Sequence, residues 1–302
     1  KQLKPLSDTL VPIIKKEELE KVAVDFLKIY YPEALKEPTY INPDDLAERM
    51  GLSVELRHIT PDFSTFGQIF FVDTKTSYYD KELSGYKAIN VTAGTVFVDP
   101  DAFFLRNLGS VNNTIVHECV HWHLHRKAFQ LERLYNKNAT QIQCQVVGGV
   151  KDSAIQSSTD FMEWHANALA PRIQMPFYQT KIKAAEFIRK YLKQNPEAKV
   201  IDIMENVIDE VSYFFMVSRL AAKIRMIDIG YEEAIGTFTY IDGKYVKPHT
   251  FKKGSIKKNQ TFSISEVDAI IQSSINPSLK RKLESGNYIF VDSHFCINHP
   301  KY

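Results

Sequence analysis

Val111–Arg126 reads VNNTIVHECVHWHLHR, and its pattern predicts one helix from about Val111 to Arg126 or beyond. At its centre lies His117-Glu118-Cys119-Val120-His121, an HExxH motif. Residues four apart on an α-helix share a face, with side chains about 5–6 Å apart, so both imidazoles can grip one ion. Zinc accepts neutral imidazole and keeps an open coordination position when only three protein groups bind it. Glu118 is turned about 100° around the helix from His117. It cannot easily share the coordination plane, but it can reach a water in the open position and serve as its general base.

Such a centre needs a third protein ligand. The HExxHxxGxxH solution fails, because Leu124 stands where glycine belongs and Lys127 where the third histidine belongs. The remaining solution takes a glutamate from a later helix. A helix expected from near Asp160 through Leu169 offers Glu163, with Asn167 one turn on to support a ligand. Asp160-Phe161-Met162-Glu163 also fits a capping pattern, in which Glu163 only closes the helix N-terminus. His165 is a rival ligand, but it points about 200° around that helix from Glu163.

Two stretches together resemble a known family. HECVHWHLH (His117–His125), followed by FMEWHANALAPRIQMP (Phe161–Pro176), is similar to the paired motifs of the ImmA/IrrE metallopeptidases, which are gluzincin-like. Glu163, Ala166, Asn167, Leu169, Ala170, Met175 and Pro176 match or nearly match the second motif. His165 stands where the family has a second glutamate, and Pro171 replaces an alanine. A weaker likeness covers Val217–Met226 up to Gly230, which looks like the family's helix-turn-helix-like segment. Ile201–Phe215 would be its first helix, Met216-Val217-Ser218 its turn and Ser218 the N-cap.

The resemblance implies one zinc ion on His117, His121 and Glu163, with Glu118 as catalytic base and Asn167 in support. It also implies an endopeptidase that cuts a partner helix-turn-helix repressor in stress or mobile-element regulation. His125, where the family commonly has a histidine, is either a support beside the substrate and ligands or a satisfied buried residue. His165 carries the same ambiguity. Donors for an oxyanion are open among Tyr178, Arg172, His165 and Tyr213. His123 is expected to be structural or exposed, Cys119 a small core residue, and Trp122 and Trp164 helix-packing residues.

Outward from the motif, Glu17–Tyr31 predicts an amphipathic helix ended by Pro32, and Asn42-Pro43-Asp44-Asp45 a helix start with Gly51 as its stop. Ser53–Thr60, Phe66–Asp73 and Ala88–Asp99 read as strands, with Thr74–Lys87 a loop or long hairpin tip. Asn136–Ser158 reads as an irregular excursion. Further helices are expected over Phe177–Gln194, Val200–Phe215 and Ser218–Ile229. Beyond Ile235 the chain turns aromatic, β-rich and basic. The expected class is α+β: a small N-terminal sheet on a zincin-type HExxH helix, a helical middle and a small C-terminal α/β region. The expected division is 1–195 metallopeptidase, 196–235 helix-turn-helix-like, and 236–302 of unknown role.

Composition limits the alternatives. The 302 residues are 44% apolar and 25% charged with a net charge of +2, so nothing in bulk calls for nucleic acid or a membrane surface. No apolar run reaches the roughly 18–20 residues needed to cross a bilayer. Cys119, Cys144 and Cys296 form neither a disulfide framework nor a CxxC pair, which suits a cytoplasmic protein. The first residues do not read as a signal peptide, and a start on Lys1 leads us to expect natural sequence further upstream. The rival class is a non-catalytic regulatory module that grips DNA or a transcription factor, or a component of a toxin–antitoxin pair. In it, Arg219, Lys223 and Arg225 would touch phosphates. The tail lysines, Lys252, Lys253, Lys257 and Lys258, with Lys280-Arg281-Lys282, are expected to be solvated surface.

Overall fold

The apolar positions of the first expected helix close on one side. α1, Leu19–Tyr30, buries Leu19, Val22, Ala23, Phe26 and Leu27. In α2, Pro43–Arg49, the Asn42 side-chain oxygen accepts from the backbone N–H groups of Asp44 and Asp45 at 2.9 and 3.3 Å. Gly51, at φ +72°, then takes the left-handed turn that a residue with a Cβ would resist. These belong to a computed structural model that describes residues 10–62, 65–101, 108–135, 141–145, 158–237, 239–241, 244–246, 261 and 263–299.

The described residues form a mixed α+β fold. β1 (Ser53–Leu56), β2 (Thr65–Phe70), β5 (Thr95–Val98) and β6 (Gln141–Gln145) make one sheet in the order β1-β5-β2-β6. β1 and β5 run parallel, while β2 is antiparallel to both β5 and β6. Every residue of β2 and β5 is buried, so both faces of the sheet must be covered. Ile69, Val96 and Val98 join the core beneath α3, Leu108–Tyr135, the helix that carries the HExxH motif. Phe70 and Phe97, with ring centroids 5.0 Å apart, pack on the other side with Ile59 and Val91.

That second face explains a departure from expectation. Thr74–Lys87 is largely strand: β3, Thr74–Asp80, pairs with β4, Gly85–Val91, in an antiparallel hairpin. Tyr78 and Ile89 lie against the Phe70–Phe97 cluster, so the polar stretch holds enough alternating apolar residues to cap the sheet. The Asn136–Ser158 excursion contains a strand as well, because β6 pairs along the remaining edge of β2. The described residues after Ile235 form the mixed α/β region that was expected. Besides the hairpins β7–β8 (Thr239–Ile241, Lys244–Val246) and β9–β10 (Tyr288–Val291, His294–Ile297), it forms two helices, α8 (Glu266–Ile275) and α9 (Pro277–Glu284). Their starts were legible: the Ser265 hydroxyl accepts from Asp268 N–H, and Asn276 from Ser278 and Leu279 N–H.

α4, Ser158–Gln174, starts two residues before Asp160 and continues through Pro171. Asp160 is therefore inside the helix, and the capping role weighed for Glu163 does not apply. α5 (Phe177–Gln194), α6 (Val200–Phe215) and α7 (Arg219–Asp228) share a second hydrophobic cluster running from Met175 to Ala234. The α6–α7 turn has the predicted form, with Met216 at φ +51° and the Ser218 hydroxyl accepting from Ala221 N–H at 3.2 Å. It is seated on the start of α3. Asn112 donates to the Met216 carbonyl at 2.9 Å, and a Cβ on Gly109 would fall 2.4 Å from Ser218 N.

The expectation that Arg219, Lys223 and Arg225 could touch phosphates is corrected by where they lie. Arg219 pairs with Glu205 and Asp209, and buried Lys223 donates to the Thr237 carbonyl at 2.6 Å. Arg225, 1% exposed, donates to the Met175 carbonyl and to both carboxylate oxygens of Glu20. It rivets α7 to α1 and to the end of α4. Arg225→Ala strips the Met175 carbonyl of its donor and empties a fully buried site, while Glu20 keeps Arg172, so it should cost about 3 kcal/mol. Thermal unfolding should therefore show a Tm at least about 6 °C lower. Lys252, Lys253, Lys257 and Lys258 lie outside the described residues. Among the described residues no helix is long and apolar enough to cross a membrane.

Candidate metal centre

α3 places His117, His121 and His125 at successive four-residue steps along one buried face, and α4 packs across it. α3 is held from behind by Trp122, which stacks on Phe71 of the segment after β2, and by Phe129 on the same ring. His123 faces α1 instead, bonded to the Tyr30 hydroxyl at 3.1 Å and set edge-on to Phe26. Glu163 reaches from α4 between the first two histidines. Its Oε2 is 3.2 Å from His117 Nε2, its Oε1 is 3.2 Å from His121 Nε2, and the two Nε2 atoms are 3.0 Å apart. The three ligand atoms converge within 4.8 Å, as a single metal ion requires.

The electrostatics of this cluster fit a cation. Burial raises the Glu163 carboxyl, but His121 and His117 outweigh that and hold it well below the usual carboxylate range. Burial pushes the His121 imidazole down, which keeps it neutral and able to ligate near neutral pH. Glu118 is fully buried, and neither of its oxygens has a hydrogen-bond partner among the described residues. Burial, and secondly the charge of Glu163, push its carboxyl well above the usual range. A carboxylate left this way is costly unless a positive charge joins it. A divalent ion on His117, His121 and Glu163 would supply that charge.

Gly67 of β2 was not recognised in the sequence as part of this site. A Cβ there would fall 2.7 Å from Glu118 Oε1 and 2.6 Å from Thr114 Cγ2, so only glycine lets the strand pass this close to the carboxylate. The only available signal was a glycine inside an otherwise strand-like run, which marks a close backbone approach. His125 and His165, both fully buried, extend the cluster inward: His121 Nδ1 is 2.9 Å from His125 Nδ1, and His125 Nε2 is 3.3 Å from His165 Nδ1. His165 is thus a neighbour of the site but is separated from the ligand atoms by His125.

Other expected residues are not brought in. Asn167 is exposed and makes no hydrogen bond to the three candidate ligands, so its supporting role is not realised. Of the oxyanion candidates, Tyr178 and Tyr213 are largely in solvent, and Arg172 is committed to Glu20, Asp228 and the Ala168 carbonyl. Cys119 is buried in the α3 core, and burial pushes its thiol far above the ordinary range, which leaves it an inert packing residue.

A second group, His58, Asp99 and Asp101, also gathers three potential ligands. There, however, Asp99 accepts from the backbone N–H groups of Ile59 and Asp101, and Asp101 is neutralised by Lys81 at 2.7 Å. Its charges are already answered by the protein. Comparison of the chain with protein-family models, curated proteins and solved structures found no match to any of them.

Proposed function

We propose that the chain is a zinc-dependent endopeptidase, with His117, His121 and Glu163 as metal ligands and Glu118 as general base. The observation that carries this is the Glu118 carboxylate, fully buried, without a hydrogen-bond partner among the described residues, next to three converging ligand atoms. A purely structural metal site has no use for such a group, whereas hydrolysis does. Bound zinc supplies Lewis acidity at the centre. Glu118 takes the proton of the attacking water and returns it to the departing amine, so one residue serves as base and then as acid. Its raised proton affinity suits the second duty, and the missing side chain at Gly67 leaves its carboxylate room beside β2. His117 and His121 would hold the ion through their Nε2 atoms, which already face Glu163 at 3.2 Å.

The substrate follows from the motif resemblance alone: a protein, and specifically a repressor with its own helix-turn-helix domain. The internal engagement of Arg219, Lys223 and Arg225 supports a partner protein over DNA. The test begins with metal analysis of the purified chain, then incubation with a helix-turn-helix repressor encoded beside it. One zinc per chain and a discrete cut abolished by chelator are expected. Zinc-loaded protein that leaves every such repressor intact would overturn the peptidase assignment.

Gly67→Ala provides a further check. The added methyl must displace the Glu118 carboxylate or Thr114, and an error of about 1 Å in a catalytic group can cost about a hundredfold. Cleavage should fall about that much while zinc content stays at one per chain.

A further inference from the structure

The histidine cluster does not end at the ligands. His117, His121, His125 and His165 form one continuous buried series of imidazoles, each within hydrogen-bond distance of the next. His121 uses Nε2 toward Glu163 and His117, which leaves only Nδ1 to fix the orientation of its ring. Among the described residues, the group that meets that atom is His125 Nδ1, at 2.9 Å. A ligating imidazole usually turns its second nitrogen to a carboxylate, a backbone carbonyl or a water. Here it meets a third imidazole, backed by a fourth. Phe161 and Trp164 pack on the His165 ring at centroid distances of 4.6 and 5.4 Å, so the far end of the series is also fixed.

An imidazole differs from a carboxylate in that one nitrogen can either donate or accept. With its proton on Nε2, which faces Glu163 Oε1 at 3.2 Å, His121 must accept at Nδ1, and His125 donates there. With an ion on Nε2, His121 carries its proton on Nδ1 and must donate, so His125 accepts and passes its own Nε2–H to His165 Nδ1. A carboxylate at position 125 could serve only the loaded state.

We propose that His125, backed by His165, is a positioning residue that holds the ring and tautomer of His121 for metal and thereby sets metal retention. It rests on His117, His121 and Glu163 being the ligands, and the experiment separates the two claims. Zinc affinity is measured by competition with a chromophoric chelator for the wild type, His117→Ala, His125→Leu and His125→Asn. The visible spectrum of the cobalt-substituted proteins is recorded alongside.

His125→Leu fills the space but offers no polar atom, and loss of such a support typically weakens metal binding about 10–100-fold. His125→Asn places an amide near the position of Nδ1, where it can accept or donate, and should bind zinc within about threefold of wild type. Its cobalt spectrum should match wild type, whereas that of His125→Leu should shift. Wild-type affinity in His125→Leu, or equal weakening in both variants, would overturn the positioning role, since packing alone would then explain the effect. Should His125→Leu not fold, His165→Leu replaces it, with a smaller weakening of about threefold expected and none overturning the proposal. If wild type binds zinc no better than His117→Ala, the ligand assignment itself is wrong and the positioning role falls with it.

Discussion

Glu118→Gln should abolish cleavage while leaving zinc bound and making the metal-free protein more stable. The first half follows from removing the buried carboxylate, beside the three converging groups, that takes the water's proton and returns it. General-base loss of this kind costs about 10²–10⁴-fold in rate. Glu118 is not one of the three converging ligands, so zinc content should stay at one per chain. The second half follows from burial. Neither Glu118 oxygen has a hydrogen-bond partner among the described residues, and burial pushes its carboxyl well above the usual range. In the unfolded chain the same carboxyl ionises near the ordinary 4.5. For an acid raised in the folded state, stability is full below the unfolded value and is lost as pH rises toward the folded one.

The Tm advantage of Glu118→Gln in metal-free protein should therefore be small at acid pH and grow as pH is raised above the ordinary carboxylate range. At neutral pH we expect roughly 2 °C or more, measured by thermal unfolding in chelator. Zinc should narrow the gap, because the ion supplies the counter-charge that the carboxylate lacks. A variant less stable than wild type at every pH would mean that Glu118 is satisfied in the fold, and the functional argument from its isolation would fail.

What could be seen in the sequence follows the range of the interactions involved. His117 and His121 were legible because their geometry is set within one helical turn, and so was the Ser218 cap, whose partner Ala221 is three residues away. The Thr74–Asp80 strand was missed because its apolar residues are few, and its value lies in covering Phe70 and Phe97 from outside. The contact between His125 and His165 spans 40 positions, and only the crossing of α3 and α4 creates it. Arg225 is the sharpest case. On a short amphipathic helix an arginine reads as solvent-facing, but its partner Glu20 is 205 positions away. Gly67 left a trace, yet a glycine in a strand has several explanations until the carboxylate beside it is known.

The third ligand was the least secure residue in the sequence, and it gives the second large effect. Glu163→Gln keeps the size and the helix but replaces an anionic ligand with a neutral amide. If a zinc site is worth about 10–16 kcal/mol over three ligands, each contributes about 3–5 kcal/mol, or about 10²–10⁴-fold in affinity. Chelator competition should show a loss of that order for Glu163→Gln. His165→Leu, two hydrogen bonds removed from the ligand atoms, should lose no more than a few fold. The reverse ranking would make His165 the ligand and would require α4 to turn by roughly half a revolution, since the two side chains lie about 200° apart on it. Against that stands the geometry: Glu163 already meets both His117 and His121 at 3.2 Å, and His165 is screened from them by the ring of His125.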